Sequence, residues 1–156
     1  MAIRRLNHAV LRVSDVQRST RFWREALEMV PVAEVAGAAF LRLPDSGNHH
    51  DLGLFQSRGG PPPPGGLGLY HLAWEVERFE DLDEVRQRLV ELGALDGESD
   101  HGATLSLYAH DPDGIELEVT WQLPRDAWPP DDEVVTRHLD WPAARRRWTT
   151  SPRTGS

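Results

Sequence analysis

The chain contains no cysteine. Disulfides, thiolate metal sites and cysteine nucleophiles are therefore excluded, and any metal must rest on histidine and carboxylate. It also lacks an apolar run long enough to span a membrane. The opening stretch Met1-Ala-Ile-Arg-Arg-Leu-Asn-His8 has basic residues but no apolar segment behind them, so no signal peptide or anchor is expected, and a cytoplasmic location is. Positive charge is in short supply: 17 basic against 25 acidic residues leave a net charge of −8, which gives nucleic acid nothing to bind. Small molecules are the expected partners, with no membrane and no nucleic acid. At 156 residues, 39% of them hydrophobic and 27% charged, the chain has one domain's worth of core-forming material.

A repeat organises what is present. Residues 6 to 13, Leu-Asn-His-Ala-Val-Leu-Arg-Val, predict a strand with Leu6, His8 and Val10 on one face. Ser14 or Asp15 can cap a following helix whose apolar stripe is Phe22, Trp23, Ala26 and Leu27. Strands are predicted near 31–36, 38–43 and 51–55. The glycine- and proline-rich stretch 58–68 reads as a linker. Leu-x-His-x-x-x-x-Val then recurs at residues 69–76, so that His71 lies 63 residues after His8. A second helix over 81–92 follows, with Leu82, Val85, Leu89 and Leu92 buried, Glu84 placed to pair with Arg88, and Gly93 ending it. Strands near 94–98 and 103–110 and a final strand complete the second copy. The predicted fold is α+β: paired βαβββ modules, about 4–57 and 69–124 within a domain 1–124, forming an open, cup-shaped mixed sheet. The tail, 125–156, is predicted to be partly ordered, with Trp128, Trp141 or a short helix packing back and the end from Thr149 frayed; its Arg145–Arg147 run reads as a solvated helix face.

The final strand is introduced by Asp111-Pro-Asp-Gly114, where proline pre-sets one dihedral, the acids can bond their own backbone and glycine takes a positive φ. Alternation from Gly114 puts Glu116, Glu118 and Thr120 on one face and Leu117, Val119 and Trp121 on the other. The ordinary reading of such a strand leaves its acids in water. Set beside two histidines at matching places in the repeat, Glu118 also reads as a metal ligand, since two histidines and a carboxylate leave one side of an ion open. The same offset carries Glu118 onto Phe55, so only one copy has the acid.

These residues resemble the vicinal oxygen chelate superfamily over roughly residues 4–123, a group that includes glyoxalase I, fosfomycin and bleomycin resistance proteins and type I extradiol dioxygenases. The resemblance implies that His8, His71 and Glu118 ligate a divalent ion. It further matches His50-Asp51 to the strand carrying an acid-base histidine, Asp100-His101-Gly102 to the His-Gly before the last hairpin, and Tyr108 to a substrate-binding tyrosine. It thus implies an Fe(II) extradiol ring-cleavage dioxygenase, with Mn(II) or Zn(II) as alternative metals, acting on a catechol and dioxygen through His50, His101 and Tyr108. Its alternatives are a glyoxalase-like isomerase or transferase, or a small-molecule-binding resistance protein. Each side chain has a plainer reading too: His50 as an exposed loop residue, His101 as a turn cap, Tyr108 as a core aromatic. Exposed strand edges point to a homodimer or higher homo-oligomer.

Overall fold

The computed structural model describes residues 5–60, 68–130 and 133–149. They cluster into two compact units, Met1–Gly68 with Asp111–Ile115, and Leu69–His110 with Glu116–Ser156. The first unit contains β1 (Ala9–Val13), α1 (Val16–Leu27), β2 (Val30–Val35), β3 (Ala38–Arg42) and β4 (Leu52–Gln56). Its sheet runs β1-β4-β3-β2, with β1 parallel to β4 and the other pairs antiparallel. Asp15 starts α1, its carboxylate accepting from Arg18 N at 2.9 Å. That satisfies one amide that the first helical turn leaves without an internal partner. The predicted stripe Phe22, Trp23, Ala26 and Leu27 is buried, with Leu11, Val13, Leu41, Leu52 and Leu54. Burying each large aliphatic side chain contributes about 1.5–3 kcal/mol.

The second unit repeats the order with β5 (His71–Val76), α2 (Phe79–Glu91), β6 (Leu95–Asp100), β7 (Thr104–His110) and β8 (Glu116–Gln122). It then adds a 3-10 turn at Arg125–Ala127, β9 (Arg137–His138) and α3 (Trp141–Trp148). The sheet order is β5-β8-β7-β6-β9, and β5 is parallel to β8. The α+β reading with two βαβββ modules and mixed sheets therefore holds. Leu82, Val85 and Leu89 are buried as predicted, joined by Phe79. Leu92 departs from the prediction at 37% exposed, because the helix ends at Glu91 and Gly93, at φ +64°, turns the chain away. The Glu84–Arg88 pair forms at 3.7 Å.

Two sequence-based expectations are corrected. The first ladder begins at Ala9 rather than at Leu6, with Ala9 N donating to Asp51 O at 3.0 Å. The 63-residue offset also fails across the later strands. In the second unit Ala73 pairs with Glu118, and its first-unit counterpart Val10 pairs with Gly53. Gly53, not Phe55, therefore occupies the place of Glu118. A side chain there is crowded out: a Cβ would stand 3.3 Å from Val10 Cγ2 and 3.5 Å from the Phe55 ring. By the same register Phe40, opposite Gly53, corresponds to Tyr108, opposite Glu118. One sheet thus carries polar groups where the other carries an apolar patch.

The turn before β8 forms as its residues dictate. Asp111 is fully buried, and its Oδ1 accepts from Asp113 N at 2.8 Å and Ile115 N at 2.9 Å, while Gly114 takes φ +79°. The strand begins at Glu116, two residues later than predicted, because these turn bonds occupy the backbone as far as Ile115. Asp113 accepts from Ser14 N at 2.8 Å and pairs with Arg18 at 2.6 Å. Of the predicted linker, residues 61–67 lie outside the described residues, as do 150–156 of the tail. Trp141 is buried, its indole N–H donating to Asp83 Oδ1 at 2.9 Å, and Arg145 binds the same carboxylate. No described helix is long and apolar enough to cross a membrane.

Candidate functional site

In the second unit four of the six predicted residues meet. His71 opens β5, Glu118 lies on the neighbouring β8, Tyr108 faces Glu118 from β7, and His101 sits in the turn between β6 and β7. The parallel pairing of β5 with β8 and the antiparallel pairing of β8 with β7 bring these side chains onto one face. The opposite face buries Leu105, Leu107, Leu117 and Val119. His71 Nε2 stands 3.1 Å from Glu118 Oε2, the Tyr108 hydroxyl 3.4 Å from Glu118 Oε1, and His101 Nε2 2.9 Å from the Tyr108 hydroxyl. Residues far apart in sequence thus form one continuous row.

The row fits a divalent ion on its donor chemistry. His71 Nδ1 faces Glu116 Oε1 at 3.2 Å, so it is Nδ1 that carries a proton and donates. His71 Nε2 and the Glu118 Oε2 that it faces can meet in two ways, as an ion pair with a protonated ring or as two ligands of one metal ion. Their 3.1 Å separation matches adjacent ligands of one ion, since two bonds of about 2.1 Å at a right angle put the donor atoms about 3 Å apart. A histidine held through its far nitrogen by a carboxylate is the usual support for a ligating imidazole. Among the described residues, however, no group of three histidine or carboxylate side chains comes together as a ready ligand set.

Burial, then the charge of Glu118 and its hydrogen bond, push the Tyr108 hydroxyl up to about 12. It remains a neutral phenol at physiological pH, able to donate or accept a hydrogen bond.

The other two predicted residues meet in the first unit. His8 is exposed, one residue before β1, and its ring lies 4.5 Å from that of His50, in the turn before β4. Asn48 ties the two segments, its Nδ2 donating to Asn7 O at 3.0 Å and to Asp51 Oδ1 at 2.6 Å. His8 Nδ1 donates to Asn7 Oδ1 at 2.8 Å, so its Nε2 keeps a lone pair. The His50 ring packs on Phe40 at 5.1 Å. Its pKa is held below the usual histidine value, first by desolvation and then by the neighbouring His8 and His49.

Sequence reasoning missed the partners of His101. Its Nδ1 lies 3.2 Å from Val135 O and 3.3 Å from Thr136 Oγ1. A backbone carbonyl leaves no mark in a sequence, and the two-residue strand β9 is too short to show a period.

Residues 5–119 match the Glyoxalase/Bleomycin resistance protein/Dioxygenase superfamily. The chain belongs to this superfamily. Within it, the chain is 32% identical to biphenyl-2,3-diol 1,2-dioxygenase 3 of Rhodococcus globerulus over 121 residues, 74% of this chain and 63% of that protein. It is 33% identical to the glutathione transferase FosA of Serratia marcescens over 114 residues, 73% of this chain and 78% of that protein. Among solved structures, a glyoxalase/dioxygenase from Nostoc punctiforme shares the superfamily fold with a TM-score of 0.65 at 23% identity, covering 78% of this chain and 92% of its own. The chain spans less than two thirds of the length of the biphenyldiol dioxygenase.

Proposed function

We propose that this chain is a metal-dependent enzyme that acts on a small molecule presenting two neighbouring oxygens. The observation that carries the reading is the His71–Glu118 pair, set at ligand spacing and continued by hydrogen bonds to Tyr108 and His101. His71 and Glu118 would hold the ion, and His8, whose Nε2 is left with its lone pair, is proposed as the third ligand. A divalent ion so held supplies Lewis acidity and an open face on which substrate oxygens bind.

Within that class, ring cleavage of a catechol with Fe(II) and dioxygen is favoured by the Tyr108–His101 pair. Tyr108 would hydrogen-bond a substrate oxygen, and His101 would hold the proton exchanged through that hydroxyl. His50, neutral near physiological pH because its pKa is lowered, would serve as the proton acceptor in the same reaction. A thiol transfer or glyoxalase-like isomerisation, with Mn(II) or Zn(II), is the second reading. It is favoured by the 33% identity to the FosA transferase over 114 residues.

One experiment separates them. Metal-free protein is loaded with Fe(II) without oxygen, given a panel of catechols, and exposed to air while oxygen uptake and visible absorbance are followed. Parallel samples with Mn(II) or Zn(II) receive glutathione with an epoxide or with an α-ketoaldehyde. Oxygen uptake with a yellow product selects the dioxygenase; thiol consumption or isomerisation selects the second reading. Failure to bind any of these ions removes both.

A further inference from the structure

We propose that the tail segment Val135–Arg137 is a positioning element that fixes the tautomer of His101 and thereby makes its Nε2 the proton acceptor toward Tyr108. The inference rests on the functional reading above for its catalytic meaning, and on hydrogen-bond geometry for its physical content.

A backbone carbonyl can only accept. With Val135 O at 3.2 Å from His101 Nδ1, and the Thr136 hydroxyl also within reach at 3.3 Å, the Nδ1 of the neutral ring must carry the hydrogen. Nε2 is then bare, and at 2.9 Å it competes for the single hydrogen of the Tyr108 hydroxyl with Glu118 Oε1, which lies further off at 3.4 Å. Free histidine favours the opposite tautomer, with the hydrogen on Nε2, which would leave this nitrogen unable to take a proton. The tail therefore decides which role the ring can play.

The segment is fastened for the purpose. β9 pairs with β6 through Ser99 with His138 and Asp100 with Arg137. The Asp100 carboxylate joins both sides of the turn that presents His101: Oδ1 accepts from Gly102 N at 2.8 Å, and Oδ2 accepts from Arg137 Nε at 3.0 Å. Gly102, at φ +77°, lets the tail approach; a Cβ there would lie 3.0 Å from Pro129 Cγ and 3.1 Å from Val135 Cγ2. Beyond β9 the chain is anchored again, with Leu139 and Trp141 buried and Asp83 accepting from Trp141 and Arg145. A loose terminal extension would need none of these attachments.

The test reads the tautomer directly. Metal-free, full-length protein with isotope-labelled histidine is examined by long-range proton–nitrogen correlation, His101 being assigned through His101→Gln. The wild type is expected to show His101 with its hydrogen on Nδ1. Arg137→Glu, which sets a like charge against Asp100 and detaches β9, should shift the ring toward the Nε2–H form and, in a separate assay of the metal-loaded enzyme, lower kcat about tenfold with KM kept, and Arg137→Lys should restore both. A wild-type ring carrying its hydrogen on Nε2, or averaging between forms, overturns the inference. So does an Arg137→Glu variant with unchanged tautomer. Because the tautomer is read without metal or substrate, a fixed Nδ1–H form in a protein that shows no turnover when loaded would sink the functional reading alone.

Discussion

Replacing Glu118 by Gln tests the centre of the site with little change of shape. In the wild type, Glu118 Oε2 stands 3.1 Å from His71 Nε2, and Glu118 is 13% exposed, so it is an anionic donor largely sheltered from water. An ion bound to the folded state alone stabilises it by RT ln(1 + [L]/Kd), about 2.7 kcal/mol when the ion is at a hundredfold excess over Kd. For a chain of this length that is a rise in Tm of roughly 5–11 °C, at about 2–4 °C per kcal/mol. The variant loses the negative charge that offsets the cost of stripping water from the ion. If that weakens binding by about a hundredfold, the same ion concentration only just reaches Kd, and the gain shrinks to about 0.4 kcal/mol, or about 1 °C. The assay is thermal unfolding of metal-free protein titrated with Mn(II), with the bound metal measured after dialysis. A Glu118→Gln protein whose Tm climbs as far as the wild type's would show that Glu118 is not a ligand, and Glu116 would be examined next.

Three further outcomes are expected. Tyr108→Phe should keep the metal and lower turnover by about 10²–10³-fold, since one donor to the reacting oxygen is lost. In metal-free protein it should also remove a pH dependence. A phenol raised to about 12 in the folded state binds its proton more tightly there than when unfolded, so wild-type stability falls as pH rises from the ordinary tyrosine range to about 12. Equal urea midpoints for wild type and variant across that range would refute this. Asp111→Ala should cost about 2–4 kcal/mol, because the amides of Asp113 and Ile115 lose their acceptor, whereas Asp111→Asn keeps Oδ1 in place. Burial raises the Asp111 pKa, so wild-type stability falls as pH climbs through that raised value, and the Asn variant lacks this slope; urea midpoints from acid to neutral pH check both points. Asp83→Ala strands the buried indole N–H of Trp141, costing about 1–3 kcal/mol, and should make the tail the first site of limited proteolysis; an unchanged cleavage pattern would count against the anchoring.

Local chemistry was readable in the chain because it is local. The Asp15 cap, the apolar stripe of α1 and the Asp111–Gly114 turn each depend on residues within a few positions of one another, so their periodicity and turn composition were sufficient. The repeat was legible for the same reason: each module is built from the same run of short elements. What pairs with what across a sheet was not. Register is set by ladder bonds between distant segments, and a change in loop length moves it without altering any strand's own pattern. That is why an offset taken from the two histidines led to Phe55, when the pairing put Gly53 in the place of Glu118. The repeat and strand alternation singled out His71 and Glu118, and the family resemblance added His101 and Tyr108; only the folded sheet set them in one hydrogen-bonded row and aimed the carbonyl of Val135 at His101. A side chain's chemistry is written in the sequence, but the proton it carries depends on the atoms that tertiary structure brings against it.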